Sequence, residues 1–281
     1  MSEFPRTTVG GVSVSRLIVG TNWFLGYSHT SAAKDRFIKG YQTARKMADV
    51  MAAFLGAGVD TMMAPAHPLF YEAAKMAEDR TGRAVLRVIT PSFNVLPGGE
   101  PENEPQRVFD ACREHGATFC FPHTSVTDRL LDRLHRTIRR MDELSAMIRG
   151  RGMIPGISTH HPEAVVIADE SGADVASYIQ IYNAAGFLMH LEADWVMRII
   201  HKAAKPVMTI KPLAAGSLLP AVGLAFVWNT LRDQDMVTIG TTTPDEAKEC
   251  VDLSLTYLDR RLPDHELQKT RSKQAVESAA K

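Results

Sequence analysis

The sequence predicts an α/β fold of the (β/α)8 TIM-barrel type with an N-terminal β-hairpin. Three observations carry this. Short apolar strands alternate with helical periodicity eight times. A Gly-Gly turn between β-branched residues precedes the first strand. The 281 residues contain no linker or shift in composition that would divide them. Barrels commonly run to about 250 residues, so residues 1–262 are assigned to one barrel domain and 263–281 to a C-terminal tail.

In order, Arg6 to Val9, Gly10-Gly11 and Val12 to Ser15 read as the hairpin, and Leu17 to Gly20 as the first buried strand. Tyr41 to Leu55 spaces Ala44, Met47, Met51, Phe54 and Leu55 as a helix does, and Val59 to Met62 follows as a strand. The alternation continues with helix Leu69 to Thr81 and strand Leu86 to Ile89, then helix Pro105 to His115 and strand Thr118 to Phe121. Asp128 to Arg149 reads as one helix, its Arg129, Arg133, Arg136 and Arg140 forming a solvated face, before the strand Ile154 to Ile157. Helices Pro162 to Glu170, Asp194 to Lys202 and Leu219 to Leu231 lead to strands Tyr178 to Ile181, Val207 to Ile210 and Val237 to Ile239. Thr243-Pro244-Asp245-Glu246 is a capping box that opens the last helix, to about Leu258. Pro91 to Glu104, rich in Gly, Pro, Asn and Glu, reads as a loop.

Charge narrows the function classes. Lys+Arg and Asp+Glu both number 32, so there is no basic footprint for nucleic acid or an anionic membrane, and a small-molecule partner is expected. Cys112, Cys120 and Cys250 are odd in number and form no CxxC pair, which fits a reducing, cytoplasmic setting. The opening thirty residues hold no apolar core of a secretion signal.

Functional groups of such barrels sit just past the C-terminal ends of the strands. Those positions hold Asn22, Trp23 and His29 after the first strand, Asp60 with the second, and His123 after the fourth. The fifth supplies Ser158 and His160, the sixth Gln180 and Tyr182, and the seventh Lys211. His29, His123 and His160, with Asp60 between, suit a divalent metal. Lys211 is costly to desolvate unless paired or used, as a Schiff-base amine, a proton donor, an oxyanion partner or the other half of an ion pair with Asp60. Asn22, Trp23 and Tyr182 are candidates to hold a sugar-like substrate.

The order of motifs resembles the aldo-keto reductases. Arg6 to Leu17 is similar to that family's hairpin, and Gly56-Ala57-Gly58-Val59-Asp60-Thr61 to the strand ending in its tetrad aspartate. Phe119-Cys120-Phe121-Pro122-His123 is similar to the strand ending in its tetrad histidine. Gly156-Ile157-Ser158, Gln180-Ile181-Tyr182-Asn183, Lys211-Pro212-Leu213 and Ile239-Gly240 fall where the family binds a nicotinamide cofactor. The resemblance therefore implies NAD(P) held by Ser158, Gln180 and Tyr182. It also implies a tyrosine acid and a lysine, but those positions read Pro65 and Pro91, and the arginine that reads a 2′-phosphate aligns with Glu246.

The leading expectation is thus a non-redox lyase, hydratase or isomerase that abstracts a proton next to a keto-sugar carbonyl. Asp60 is its base or metal ligand, His123 and His160 bind metal or shuttle protons, and Lys211 stabilises the enolate. The alternatives are an NAD(P)-dependent oxidoreductase with a non-standard proton donor and an inactive barrel kept for binding, in which the histidines would not converge.

Overall fold

A computed structural model describes residues 3–95, 104–263 and Lys273. The hairpin forms as expected: β1 (Arg6–Val9) pairs antiparallel with β2 (Val12–Ser15), and Gly10 and Gly11 take φ of 54° and 84°, a left-handed pair that suits the tight turn. Val9 and Val14 point into the barrel interior and close its base.

The barrel strands are β3 (Leu17–Gly20), β4 (Thr61–Ala64), β5 (Leu86–Ile89) and β6 (Phe119–Cys120). After a two-stranded ribbon, β7 (Leu131–Asp132) with β8 (Thr137–Ile138), come β9 (Ile154–Pro155), β10 (Ile157–Thr159), β11 (Tyr178–Ile181), β12 (Val207–Ile210) and β13 (Met236–Ile239). The parallel order runs β10-β11-β12-β13-β3-β4-β5-β6-β9. Because β9 and β10 are one strand interrupted at Gly156, the sheet closes on itself. Gly156 is required there, since a Cβ would lie 2.4 Å from the Phe121 ring.

Alternation sorts the strand residues into two layers. Ile18, Met63, Val88, Phe119, Ile179, Met208 and Met236 fill the interior, while Leu17, Val19, Met62, Ile89, Tyr178, Val207 and Val237 face the helices. The helices are α1 (Asn22–Leu25), α2 (Ala32–Tyr41), α3 (Ala44–Gly56), α4 (Pro68–Thr81), α5 (Pro105–Glu114) and α6 (Thr124–Leu130). They continue with α7 (Met141–Arg149), α8 (Pro162–Glu170), α9 (Ala193–Lys202), α10 (Pro220–Thr230) and α11 (Pro244–Leu258).

Three expectations change. The stretch Asp128 to Arg149 is not one helix: Asp132 accepts from the His135 N–H at 3.0 Å, a local turn that competes with the helix, and the chain makes the β7–β8 ribbon before α7. Arg136 and Arg140 adopt positive φ at the ribbon's turn and exit. The four arginines therefore form no single helical face: Arg133 pairs with Glu163 at 2.7 Å, Arg136 with Glu170, and Arg140 with Glu143 at 2.8 Å. The segment before the first barrel helix is itself helical, because Ser31 caps α2 by accepting from the Lys34 N–H at 3.1 Å. Finally, the second barrel strand runs Thr61 to Ala64, which leaves Asp60 at its base instead of its mouth.

Of the Pro91 to Glu104 loop, residues 96–103 lie outside the described residues, as do 264–272 and 274–281 of the expected tail. No helix among the described residues is long and apolar enough to cross a membrane. The three cysteines are free and buried.

A buried latch holds the barrel base. Asp235 is fully buried and accepts from the Val207 N–H at 2.9 Å, the Arg232 N–H at 3.1 Å and the Arg232 guanidinium at 2.7 and 2.9 Å. Removing one side of a buried pair costs about 3–5 kcal/mol, whereas the half-exposed Arg6–Asp60 pair, 2.9 Å apart, contributes about 1 kcal/mol or less. Denaturant unfolding of Asp235→Ala and Asp60→Ala should show that difference, and equal losses would contradict the assignment of Asp60 to an ordinary ion pair.

Candidate active site

The C-terminal mouth opens into a cavity of about 1100 Å³ lined by Asn22, Trp23, His29, His123, Ser158, His160, Lys211 and Glu246 among others. Each has an identifiable anchor. Asp35 of α2 accepts from Ser28 through the backbone N–H at 2.7 Å and the hydroxyl at 2.6 Å, which fixes the loop that carries His29. His29 sits at positive φ, exposed at the rim, with its Nδ1 2.9 Å from the Tyr27 carbonyl. Trp23 is wedged between two glycines: a Cβ on Gly240 would lie 3.1 Å from its ring and one on Gly216 3.9 Å. Lys34 lies 5.3 Å from the Trp23 ring centroid. Trp23 thus lines the cavity, and the hairpin lies at the opposite end of the barrel.

His123 is the N-cap of α6, and its Nδ1 accepts from the Ser125 N–H at 3.2 Å. A backbone N–H only donates, so Nδ1 is the acceptor and the neutral ring carries its hydrogen on Nε2, the nitrogen left for the cavity. Ser125 Oγ lies 3.0 Å from the same Nδ1 and 2.7 Å from Ser92 Oγ, which extends the chain of bonds. His160 is placed by Asp128, whose carboxylate accepts from its N–H at 3.1 Å and from Thr159 Oγ1 at 2.5 Å. Burial lowers the pKa of all three histidines, the Lys211 charge lowers it further, and His160 is brought to about 4. At neutral pH the mouth holds neutral imidazoles.

Lys211 follows β12 in a left-handed backbone conformation, φ 62°, and Ala214 and Ala215 beyond it repeat the positive φ. Such conformations are costly for residues with a Cβ and cluster at functional loops. No carboxylate among the described residues pairs with Lys211, and burial brings its amine down to about 8. The alternative ion pair with Asp60 is absent because Asp60 lies at the other end of the barrel, bound to Arg6.

Several expected site residues are placed elsewhere. Asp60 is neither base nor ligand at the mouth, where Met63, Ala64 and Pro65 stand. Tyr182 turns outward: its ring packs on Phe226 at 5.1 Å, and its hydroxyl lies 2.9 Å from Thr230 Oγ1, against α10. Gln180, two residues earlier on the same face, is fully buried, and its Nε2 donates to the Ile181 carbonyl at 3.3 Å. Neither lines the cavity, so of the three expected nicotinamide ligands only Ser158 does. Among the described residues, no three His, Cys, Asp or Glu side chains are grouped to hold a metal. The reason is local: His123 Nδ1 is engaged by Ser125, His29 is held at the rim, and the positive charge of Lys211 is felt by all three histidines and disfavours a further cation.

Sequence reasoning missed Thr238, and placed Thr241 past the eighth strand without giving it a role. Both border the cavity with buried hydroxyls that have no partner among the described residues. Their side chains look like ordinary strand threonines in the sequence, and only burial reveals the open bonds. Next to them Glu246, in the first turn of α11, accepts from the Thr242 N–H at 2.6 Å and hydroxyl at 2.8 Å.

No family model and no curated protein matches the sequence. Solved structures do match the fold. A protein from Pseudomonas aeruginosa assigned to the aldo-keto reductases is 16% identical with a TM-score of 0.64, over 90% of this chain and 95% of its own. An aldo-keto reductase from Brucella melitensis is 14% identical with a TM-score of 0.60, over 99% and 98%. One from Klebsiella pneumoniae, solved in complex with NADPH, is 16% identical with a TM-score of 0.59, over 96% and 99%. The chain has the (β/α)8 barrel fold of these aldo-keto reductases.

The desolvated Lys211 predicts a stability cost with a defined sign. Its pKa falls from 10.5 to about 8 on folding, so the cost is fully present below pH 8 and disappears as pH rises past 10.5. Lys211→Met should therefore raise the unfolding free energy by about 2–3 kcal/mol at pH 7, with the gap closing in alkali. A destabilised variant at pH 7 in chemical denaturation would contradict this.

Proposed function

We propose that the chain is an oxidoreductase for small carbonyl compounds that works with NAD(H) in preference to NADP(H). One observation carries the reading: a single cavity joins the polar cluster of His123, His160 and Lys211 to the unpartnered hydroxyls of Thr238 in β13 and Thr241 on the way to α11. The convergence of these groups favours an enzyme over an inert binding barrel.

The residues present fit a dinucleotide lacking a 2′-phosphate. Thr238 and Thr241 offer open hydrogen bonds, Gly240 leaves room for the Trp23 ring, and Trp23 with Ser158 would border the nicotinamide end in place of the withdrawn Gln180 and Tyr182. Glu246 already fills the helix N-terminus with its own carboxylate, so a 2′-phosphate would meet a like charge, whereas a ribose hydroxyl would meet an acceptor. Such a cofactor, when bound, supplies the two-electron reducing equivalent.

The protein's own part is to bind and protonate. His123 presents Nε2–H to the carbonyl oxygen, and Lys211 stabilises the negative charge that develops there or donates the proton. These groups take the place of the missing tyrosine, where Pro65 and Pro91 can donate nothing. Met63, Ala66, Pro91 and Val108 make the neighbouring wall apolar, which favours a carbonyl compound without many hydroxyls over a sugar.

Titration of NADH and NADPH against the purified chain, followed by tryptophan quenching, tests the reading. NADH should bind about tenfold or more tightly, and Glu246→Gln should narrow the gap. His123→Phe should lower carbonyl reduction by about 100-fold or more with NADH affinity retained. Failure of both dinucleotides to bind at millimolar concentration would overturn the proposal.

A further inference from the structure

The amine of Lys211 is placed for chemistry that hydride transfer does not require. It stands at the cavity mouth on a left-handed backbone, with Ile210 preceding it in the barrel interior and no partner among the described residues. The titratable groups coupled to it are the three neutral imidazoles, and the carboxylate nearest to two of them, Asp128, is already bound to Thr124, Thr159 and the His160 N–H. An amine in such surroundings has neither a carboxylate to hold it as ammonium nor a hydrogen bond to occupy its lone pair.

We propose that Lys211 adds to small, unhydroxylated aldehydes and ketones to form an imine, and that the barrel thereby exchanges their α-protons with solvent without any dinucleotide.

The lone pair on Nζ bonds to the carbonyl carbon, and the π pair moves to the oxygen, which His123 Nε2–H holds. That oxygen leaves as water with the two amine hydrogens, giving the imine, and one solvent proton converts it to the iminium. The α-C–H proton then passes to the neutral His160 imidazole. Its electron pair forms the enamine double bond as the C=N pair returns to nitrogen. His160 gives its proton to solvent, a solvent proton returns to carbon to restore the iminium, and hydrolysis of the iminium by water, with loss of one proton, releases the carbonyl compound unchanged in oxidation state and the Lys211 amine. Desolvation supplies the nucleophile: with a pKa of about 8, about a quarter of Lys211 is free amine near pH 7.5, against about one part in a thousand for an ordinary lysine.

The experiment uses the full chain without dinucleotide, so its outcome is independent of the NAD(H) reading. Phenylacetaldehyde and cyanoborohydride are added near pH 7.5, and adducts are mapped by mass spectrometry. Butanone exchange in deuterium oxide is followed by proton NMR. Lys211 should be alkylated at least about tenfold faster than exposed lysines such as Lys75, in line with its larger free-amine fraction. Exchange should fall at least about tenfold in both Lys211→Met and Lys211→Arg, each checked for folding by thermal unfolding. Adducts spread evenly over exposed lysines, or exchange in a folded Lys211→Met equal to that of the parent chain, would overturn the proposal.

Discussion

The Asp128 carboxylate is the interaction on which the mouth depends. From one turn of α6 it binds Thr124 in its own helix and Thr159 and the His160 N–H at the end of β10, so one side chain fixes two neighbouring strand exits. His123 caps the same helix and His160 follows the same strand, and both rings are therefore placed by a single ionic anchor. A carboxylate engaged by three donors is also a poor partner for anything else. It leaves Lys211 without a counter-charge while its own field partly opposes the lowering of the histidine pKa values.

That arrangement gives the site its electrostatic character. Desolvation is unfavourable for imidazolium and for ammonium alike, and each cation raises the cost of the next. The result is three neutral rings beside an amine that ionises with difficulty. Folding free energy is spent to hold it there, as the sign of the Lys211 pKa shift requires, and the positive φ values along Lys211, Ala214 and Ala215 add backbone strain to the same loop. The stable parts are elsewhere, in the Asp235 latch at the base and in the two apolar layers.

Most of the fold was legible because alternating strands and capped helices leave strong local signals. Pro162–Glu170, Tyr178–Ile181, Val207–Ile210 and the capping box of Pro244–Leu258 fall where periodicity and proline starts place them. The site was legible only in part. Asp60 was misplaced because apolar residues stand on both sides of Asp60 and Thr61, at Val59 and from Met62 to Ala64, so the sequence does not show where the strand begins. Gln180 and Tyr182 were misplaced for a related reason: a strand buried on both faces carries no polar alternation, so the face each side chain takes is hidden. Lys211, His123 and His160 stood out because charged or titratable groups immediately after buried strands need an explanation. The broken helix at Asp132 was hidden by a side-chain turn that helical spacing does not reveal.

The account rests on a neutral His123 whose Nε2–H faces the cavity. Long-range proton–nitrogen NMR of the histidine rings at pH 7, with His123 assigned by its loss in His123→Gln, reads that state directly. The account predicts a neutral ring with hydrogen on Nε2 and a His160 that stays neutral down to about pH 5, its pKa being about 4. An imidazolium at pH 7, or a neutral His123 with its hydrogen on Nδ1, would contradict it.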